Sequence, residues 1–134
     1  SEAQLADDAE VIGVALSTGS RAYLVAGASL QGSHIINDVV DGRPLSVTYC
    51  PRTQCARVFT KREVTGSLDL LLGGFRQGEM QLRLDGAMYP HSSDEIPLEE
   101  VEFTRTDWKT WRRLHPKTLV FLDAAPHGVA ASKI

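Results

Sequence analysis

Short runs of apolar and β-branched residues, separated by turn-forming residues, recur along most of the chain. Residues 11–25 hold two such runs around a polar turn with a glycine at 17–20, which predicts a β-hairpin. Residues 35–49 hold two more runs, joined through Asp41 and Gly42. Asp-Gly favours the type I′ turn, in which both central residues have positive φ. The pattern therefore predicts a second hairpin directly after the first.

The remaining strand signals lie on both sides of a stretch that resembles a loop. Residues 56–60 form one apolar run, and residues 67–84 predict a strand pair with a bulge or tight turn at the glycine pair 73–74. The second strand of that pair alternates apolar and polar positions, as a half-buried strand does. Residues 85–100 are rich in glycine, proline, serine and acids and predict mostly loop, followed by a short strand at 101–104.

One helix is predicted, over about residues 106–115. Thr106 is a favourable N-cap, and Trp108 and Trp111 recur at helical spacing, so both indoles can pack on the same side. Pro116 then ends the helix. The tryptophans at this spacing favour anchoring of the helix on a sheet over binding of a ligand.

The elements together predict a mainly β fold. A last buried strand at residues 118–122 completes an antiparallel small barrel or sandwich built of hairpins, with the one helix near its C-terminal end. We expect residues 1–123 to form a single β-rich domain. Residues 124–134 show no periodicity, and we expect them to form a flexible tail.

Composition narrows the functional classes. The 134 residues are 43% hydrophobic and 23% charged, which are ordinary globular values. The formal net charge of -3 argues against a nucleic-acid partner, because such a surface needs a basic stripe. No apolar run is long enough for a transmembrane segment. The polar start at Ser1 is typical of a chain cut from something longer, as by removal of a signal peptide or a lipoprotein anchor.

The most distinctive stretch joins the Asn37-Asp38 hairpin to a Val-Thr-Tyr-Cys-Pro run that ends at Pro51. With these residues the chain resembles a bacterial family known as domain of unknown function 3179, as far as residue 122. Members of that family are typically exported or membrane-anchored, so the resemblance implies an extracytoplasmic, periplasmic or membrane-anchored protein. The sequence departs from the family pattern at Ile35, where glutamate is common, and at Cys55, where a small residue is usual.

The candidate chemistry centres on the two cysteines. Cys50 and Cys55 are separated by four residues, a longer spacing than in the Cys-x-x-Cys redox and zinc motifs. A disulfide could close this short loop if the two Cα atoms lie within about 7 Å of each other. Arg52 and Arg57 lie nearby and would favour a thiolate. The pair therefore predicts a structural disulfide, a redox pair or a binding site.

A metal-centred site is the second interpretation. Thiolate, imidazole and thioether ligands suit copper electron-transfer sites, and two cysteines with two histidines would suit zinc. The candidate ligands are soft or nitrogen donors spread over the first two thirds of the chain: Cys50, Cys55, His34, His91 and Met88, with Met80 as an alternative thioether. The cofactor is thus left open by this set, with copper as one candidate.

An enzymatic role needs a further arrangement, in which Cys50 is a nucleophile and His34 its base. Asn37 or Asp38 would then orient the histidine. We expect an uncharacterised extracytoplasmic domain with a thiol- or metal-centred, copper-type redox or binding site around Cys50, Cys55 and His34. The alternative is a non-catalytic interaction or binding module, with a structural Cys50–Cys55 disulfide and a protein partner or small ligand. The sequence leaves enzymatic activity and oligomeric state open.

Overall fold

A computed structural model describes residues 5–26, 30 and 34–121, and these hold eleven strands and one helix. In chain order they are β1 (Glu10–Leu16), β2 (Gly19–Leu24), β3 (Ile35–Val40), β4 (Arg43–Cys50), β5 (Cys55–Thr60), β6 (Leu71–Arg76), β7 (Glu79–Leu84), β8 (Ala87–Pro90), β9 (Glu99–Glu100), β10 (Thr104–Asp107), α1 (Trp108–Leu114) and β11 (Leu119–Phe121). The predicted tail at 124–134 lies outside the described residues.

The strands form three open sheets. Sheet I has the order β10-β1-β2-β11, sheet II the order β3-β4-β5-β9, and sheet III the order β6-β7-β8. Neighbouring strands are antiparallel, except that β11 runs parallel to β2. The sheets do not close into a barrel. The prediction of a mainly β fold is confirmed, and of its two versions the sandwich is the one the structure supports.

Strand β4 lies at the centre of the layers, buried from Pro44 to Cys50. Its residues Leu45, Val47 and Tyr49 pack in one core with apolar residues of sheet I. Cys50 points the other way, into a second core that includes Met80 of sheet III. Because successive side chains of a strand point to opposite faces, a single strand serves both cores. Cys50 therefore lies between sheets II and III.

The helix covers the remaining face of sheet I, where Trp108 and Trp111 are buried. Gly13 makes this packing possible, since a Cβ at that position would lie 2.4 Å from the Trp111 ring. The N-cap is Asp107, whose carboxylate accepts a hydrogen bond from the Thr110 N–H at 2.7 Å. The predicted helix exists, but its first residue is Trp108 because Thr106 is paired with β1.

The first two predicted hairpins are present. Asp41 and Gly42 have φ of 53° and 78°, as the predicted type I′ turn requires. A bulge interrupts the β6–β7 pairing at the predicted glycine pair, although β6 begins only at Leu71. Residues 85–100, predicted to be mostly loop, also hold β8 and β9, and β8 folds back onto β7 through the positive-φ residues Asp85 and Gly86.

The short strand predicted at 101–104 is wrong in its position. Strand β9 ends at Glu100 after pairing with β5, and β10 begins at Thr104 beside β1. Residues 101–103 thus connect sheet II to sheet I. No helix among residues 5–26, 30 and 34–121 has the length and apolar character that crossing a bilayer would require.

Candidate functional site

The two cysteines face each other across the hairpin that joins β4 to β5. Cys50 is the last residue of β4 and Cys55 the first of β5, and the two are directly opposed in the antiparallel register. The four residues between them, 51–54, form the turn. We call Cys50, Cys55 and this turn the thiol end of the molecule.

The turn is fixed from two sides. The Gln54 N–H donates to the Cys50 carbonyl at 2.7 Å, and Gln54 itself has a φ of 59°. From sheet I, the Arg105 guanidinium donates to the Gln54 carbonyl at 2.5 Å. The same guanidinium pairs with Glu10 at 2.7 Å. The turn is therefore held against sheet I by a cation that is itself anchored.

The Cys50 thiol has no contact with solvent, but hydrogen-bond donors surround it. Burial by itself raises the pKa of the thiol, because it disfavours the charged form. The Thr53 hydroxyl and the backbone N–H groups of Thr53, Met80 and Arg52 outweigh that effect, and the pKa of Cys50 is lowered from its ordinary value. The thiolate is thus stabilised by three donors of the turn and one of sheet III.

Cys55 has a contrasting environment. It is exposed, and its thiol lies 3.8 Å from the Thr53 carbonyl. Both cysteines are free thiols. Directly opposed residues of an antiparallel pair have Cα atoms about 4.5–5.5 Å apart, and disulfides span Cα distances of about 4.4–6.8 Å. The register therefore permits a disulfide without a change in strand pairing.

His34 lies beside the thiol end through its backbone. Its carbonyl accepts a hydrogen bond from the Tyr49 N–H at 2.9 Å, and its φ is 68°. The imidazole lies edge-on to Phe75, with ring centroids 5.7 Å apart, and its Nδ1 is 3.2 Å from the Leu30 carbonyl. The His34 main chain is thus bonded to the residue before Cys50, whereas its imidazole contacts Phe75 and the Leu30 carbonyl.

His91 is buried between sheets II and III. Its Nε2 lies 2.7 Å from the Thr48 hydroxyl, and its ring is 1% exposed. Burial, aided by the nearby Arg57 charge, lowers the pKa of His91 to about 4. The ring is therefore neutral at pH 7. Thr48 precedes Cys50 by two residues on the same face of β4, so His91 and Cys50 are neighbours in one layer.

The two methionines of the predicted copper set lie apart from each other. Met80 is in the core behind Cys50, and it supplies a backbone N–H to the thiol. Met88 is 51% exposed and is registered opposite Arg83, on the outer face of sheet III. Within the part of the chain that the structure describes, no three side chains of the types His, Cys, Asp and Glu are grouped as metal ligands would be. The copper site stays a prediction.

The residues suggested to orient His34 make other contacts. The Asn37 amide donates to the Leu70 carbonyl at 2.9 Å and accepts from the Ser46 hydroxyl at 2.8 Å. Asp38 accepts a 2.7 Å hydrogen bond from the Tyr23 hydroxyl on the opposite face of β3. Both side chains therefore stabilise the contacts between sheets.

A family model described as Protein of unknown function (DUF3179) matches residues 1–129. The chain belongs to this family. No curated protein and no solved structure matches the chain. In this DUF3179 domain, the Val-Thr-Tyr-Cys-Pro run forms the second half of β4 and the first residue of the turn. The run accordingly positions Cys50 at the point where the thiol end begins.

Sequence reasoning missed two features of the thiol end of this DUF3179 domain. Thr53, three residues after Cys50, is the hydroxyl that stabilises its thiolate. Phe75 lies beneath the turn, with the Arg52 guanidinium 5.3 Å from its ring centroid. Phe75 is also partly exposed, as are three other apolar side chains of sheet III, Leu71, Leu72 and Met88. The three-residue spacing between Cys50 and Thr53 was readable in the sequence, whereas the approach of β6 was not.

Proposed function

We propose that this domain is a thiol–disulfide exchange module in which Cys50 and Cys55 alternate between two thiols and one disulfide. The observation that carries the proposal is the asymmetry of the opposed pair. Cys55 is exposed, whereas Cys50 is shielded and has a lowered pKa. A redox pair needs one sulfur that a partner can reach and one that leaves as a stable thiolate. The thiol end supplies both.

The exchange begins with the oxidised domain. A thiolate of the partner attacks the exposed Cys55 sulfur, and a new bond joins the partner to Cys55. The Cys50–Cys55 bond breaks, and its electron pair stays on the Cys50 sulfur as a thiolate. The Thr53 hydroxyl and the surrounding N–H groups stabilise that charge, and a leaving thiol of lower pKa departs faster.

A second thiolate of the partner completes the reaction. It attacks the partner's own sulfur in the mixed disulfide and expels Cys55 as a thiolate, which takes a proton from water. The partner dithiol is thereby oxidised to a disulfide, and the domain is reduced by the same two electrons. The reverse sequence would reduce a partner disulfide, so the direction depends on the redox poise of the compartment.

The partner that suits this site is a polypeptide. The Phe75 ring, 41% exposed beside the turn, offers an apolar contact for the residues that flank a partner cysteine. We also propose an extracytoplasmic location. Support for it comes from the typically exported character of the family and from the oxidising conditions under which disulfide exchange proceeds outside the cytoplasm.

The experiment that tests the proposal is a redox titration of the whole chain in glutathione buffers, quenched with acid and read by intact mass. We expect a reversible form that is lighter by two hydrogens. Because the surroundings of Cys50 stabilise its thiolate, the redox midpoint of the domain should be less negative than about -300 mV. Structural disulfides have midpoints below that value. A bond that persists below this potential would instead support the structural-disulfide module.

Two matched variants test the asymmetry. In oxidised glutathione, Cys50→Ser should accumulate a mixed disulfide on the exposed Cys55. Cys55→Ser should acquire the adduct far more slowly, since Cys50 has no contact with solvent. Equal rates of glutathione addition to the two variants, with unchanged melting curves, would contradict the assigned roles.

A further inference from the structure

The other end of sheets I and II holds a cavity that the thiol chemistry does not use. Its volume is about 340 Å³, and it lies beside the turns of the first two hairpins. Residues of both sheets line it, and the apolar ones are Leu16, Val40, Pro44, Leu45 and Val101. The cavity is therefore an apolar opening between two sheets, the kind of place where small ligands bind.

A smaller cavity of about 140 Å³ adjoins the first. Thr18, Val40 and Asp41 line both cavities, so the two meet at those residues. The smaller one is polar, and it receives the side chains of Arg21 and Lys117. We call the two cavities together the cavity end of the molecule. It combines an apolar compartment with a cationic one.

Arg21 is the unusual residue of the cavity end. Its side chain is 15% exposed, and its Nη1 is buried without a hydrogen-bond partner among the described residues. The nearest acid is Asp38, whose Oδ2 lies 4.0 Å from that nitrogen. The Asp38 oxygens already accept hydrogen bonds from the Tyr23 hydroxyl and the Val39 N–H, each at 2.7 Å. The guanidinium thus retains a donor without an acceptor.

Nη1 itself is closed to solvent, but the Arg21 side chain is 15% exposed and Arg21 lines the smaller cavity, so its positive charge can attract an anion there. The planar guanidinium fork matches a carboxylate, which can accept two parallel hydrogen bonds. Asp38 and Asp41 lie close by and disfavour a ligand with two or more negative charges. The chemistry of the smaller cavity is therefore that of a site for a monoanion.

We propose that the cavity end binds a small amphipathic monocarboxylate, such as a medium-chain fatty acid. Its carboxylate accepts from Arg21 and lies near the Lys117 ammonium, and its hydrocarbon chain fills the apolar compartment between Leu16, Val40 and Val101. This site is independent of the cysteines, because β4 runs from the cavity end at Arg43 to the thiol end at Cys50.

The test is calorimetric titration of the whole chain with sodium octanoate, alongside hexanoate and 1-octanol. We expect octanoate to bind, and affinity to rise roughly fourfold for each methylene buried between hexanoate and octanoate. Octanol should bind at least tenfold more weakly, because it has no charge for Arg21. Amide chemical-shift changes should appear at Thr18, Val40 and Asp41.

Variants locate the carboxylate. Arg21→Gln and Lys117→Gln should both weaken octanoate binding, Arg21→Gln by tenfold or more, whereas Lys109→Gln on the exposed face of the helix should not. Should Arg21→Gln fail to fold, Lys117→Gln and the comparison of octanoate with octanol on the unaltered chain decide the matter. A Cys50→Ser/Cys55→Ser double variant should bind octanoate as the parent does.

Two results would overturn the proposal. Equal binding of octanol and octanoate would reduce the site to an apolar cavity, with Arg21 satisfied by water. Absence of octanoate binding to the folded chain at millimolar concentration would mean that no carboxylate is accepted there at all.

Discussion

Strand β4 connects two ends of the molecule that differ in how their buried polar groups are hydrogen-bonded. At the thiol end, several donors converge on one acceptor, the Cys50 thiol. At the cavity end, Arg21 offers a donor that no described residue accepts. Both groups lie in or near the β layers and out of bulk water.

The two ends show how one β fold can build two kinds of site. A group whose charged form is already stabilised is ready to react, because the surroundings need not rearrange when the charge develops. A charged group with an unused hydrogen-bond donor is ready to bind, because a ligand that accepts this bond removes the free-energy cost of burying the donor alone. If substitutions at the two ends change the free energy of unfolding in the same way, the proposed difference between the ends is wrong.

The largest effect is expected at the cavity end. Asp38→Ala should lower the free energy of unfolding by about 3 kcal/mol or more, because Arg21 loses its nearest negative charge and the Tyr23 hydroxyl loses its acceptor. Tyr23→Phe, which removes one hydrogen bond, should cost about 1 kcal/mol. Urea denaturation measures both, and Asp69→Ala at an exposed site is the control. A cost for Asp38→Ala no greater than that for Tyr23→Phe would show that Arg21 does not depend on Asp38.

The next effect is the pH dependence of stability that His91, beside the thiol end, should cause. The pKa of His91 is about 4 in the folded state and about 6.5 when exposed. The unfolded chain therefore binds more protons between these values, and stability should fall as the pH drops from about 6.5 to about 4, by roughly 3 kcal/mol in total. The pKa of Asp38 is raised, chiefly by burial, so its contribution has the opposite sign.

Comparing His91→Gln with the parent chain separates the two groups, since Asp38 is present in both. The glutamine amide can still bond the Thr48 hydroxyl. Urea denaturation at pH 7 and at pH 4.5 should therefore show a smaller loss of stability for His91→Gln than for the parent. An equal loss in both chains would assign the acid sensitivity to groups other than His91.

Local signals predicted much of the secondary structure. Asp41-Gly42 specified its hairpin, since Asp-Gly readily adopts two successive positive φ angles. The same dipeptide at Asp85-Gly86 marks the β7–β8 turn, but the acids and prolines around it favoured a loop. The parallel strand β11 was predicted as a strand, whereas its pairing with β2 depends on where the helix packs. Pairing between distant segments is a tertiary property.

The site was less predictable than the fold for the same reason. The short spacing of Cys50 and Cys55 pointed to the pair, and their direct opposition follows from the four-residue turn. Which cysteine is buried depends on sheet III covering one face of β4, and no local pattern reports that. The donors to Cys50 illustrate this point, because Thr53 is three residues away in sequence while Met80 is thirty away.

The smallest effect is expected when a hydrogen-bond donor to the Cys50 sulfur is removed. Thr53→Val removes the hydroxyl that stabilises the Cys50 thiolate, so the pKa of Cys50 should rise, whereas Thr53→Ser should leave it low. Thiolate absorbance at 240 nm in a Cys55→Ser background follows this titration without interference from the second thiol. The test needs no partner protein.

The same substitution should also shift the redox midpoint of the chain with both cysteines. Loss of a hydrogen bond worth about 1.4 kcal/mol to the reduced form makes the disulfide harder to reduce, by roughly 30 mV toward negative potentials. Glutathione titration of Thr53→Val beside Thr53→Ser measures that shift. A raised pKa with an unmoved midpoint would show that the Thr53 hydroxyl does not stabilise the reduced form relative to the disulfide, so that the lowered pKa of Cys50 does not set the redox potential.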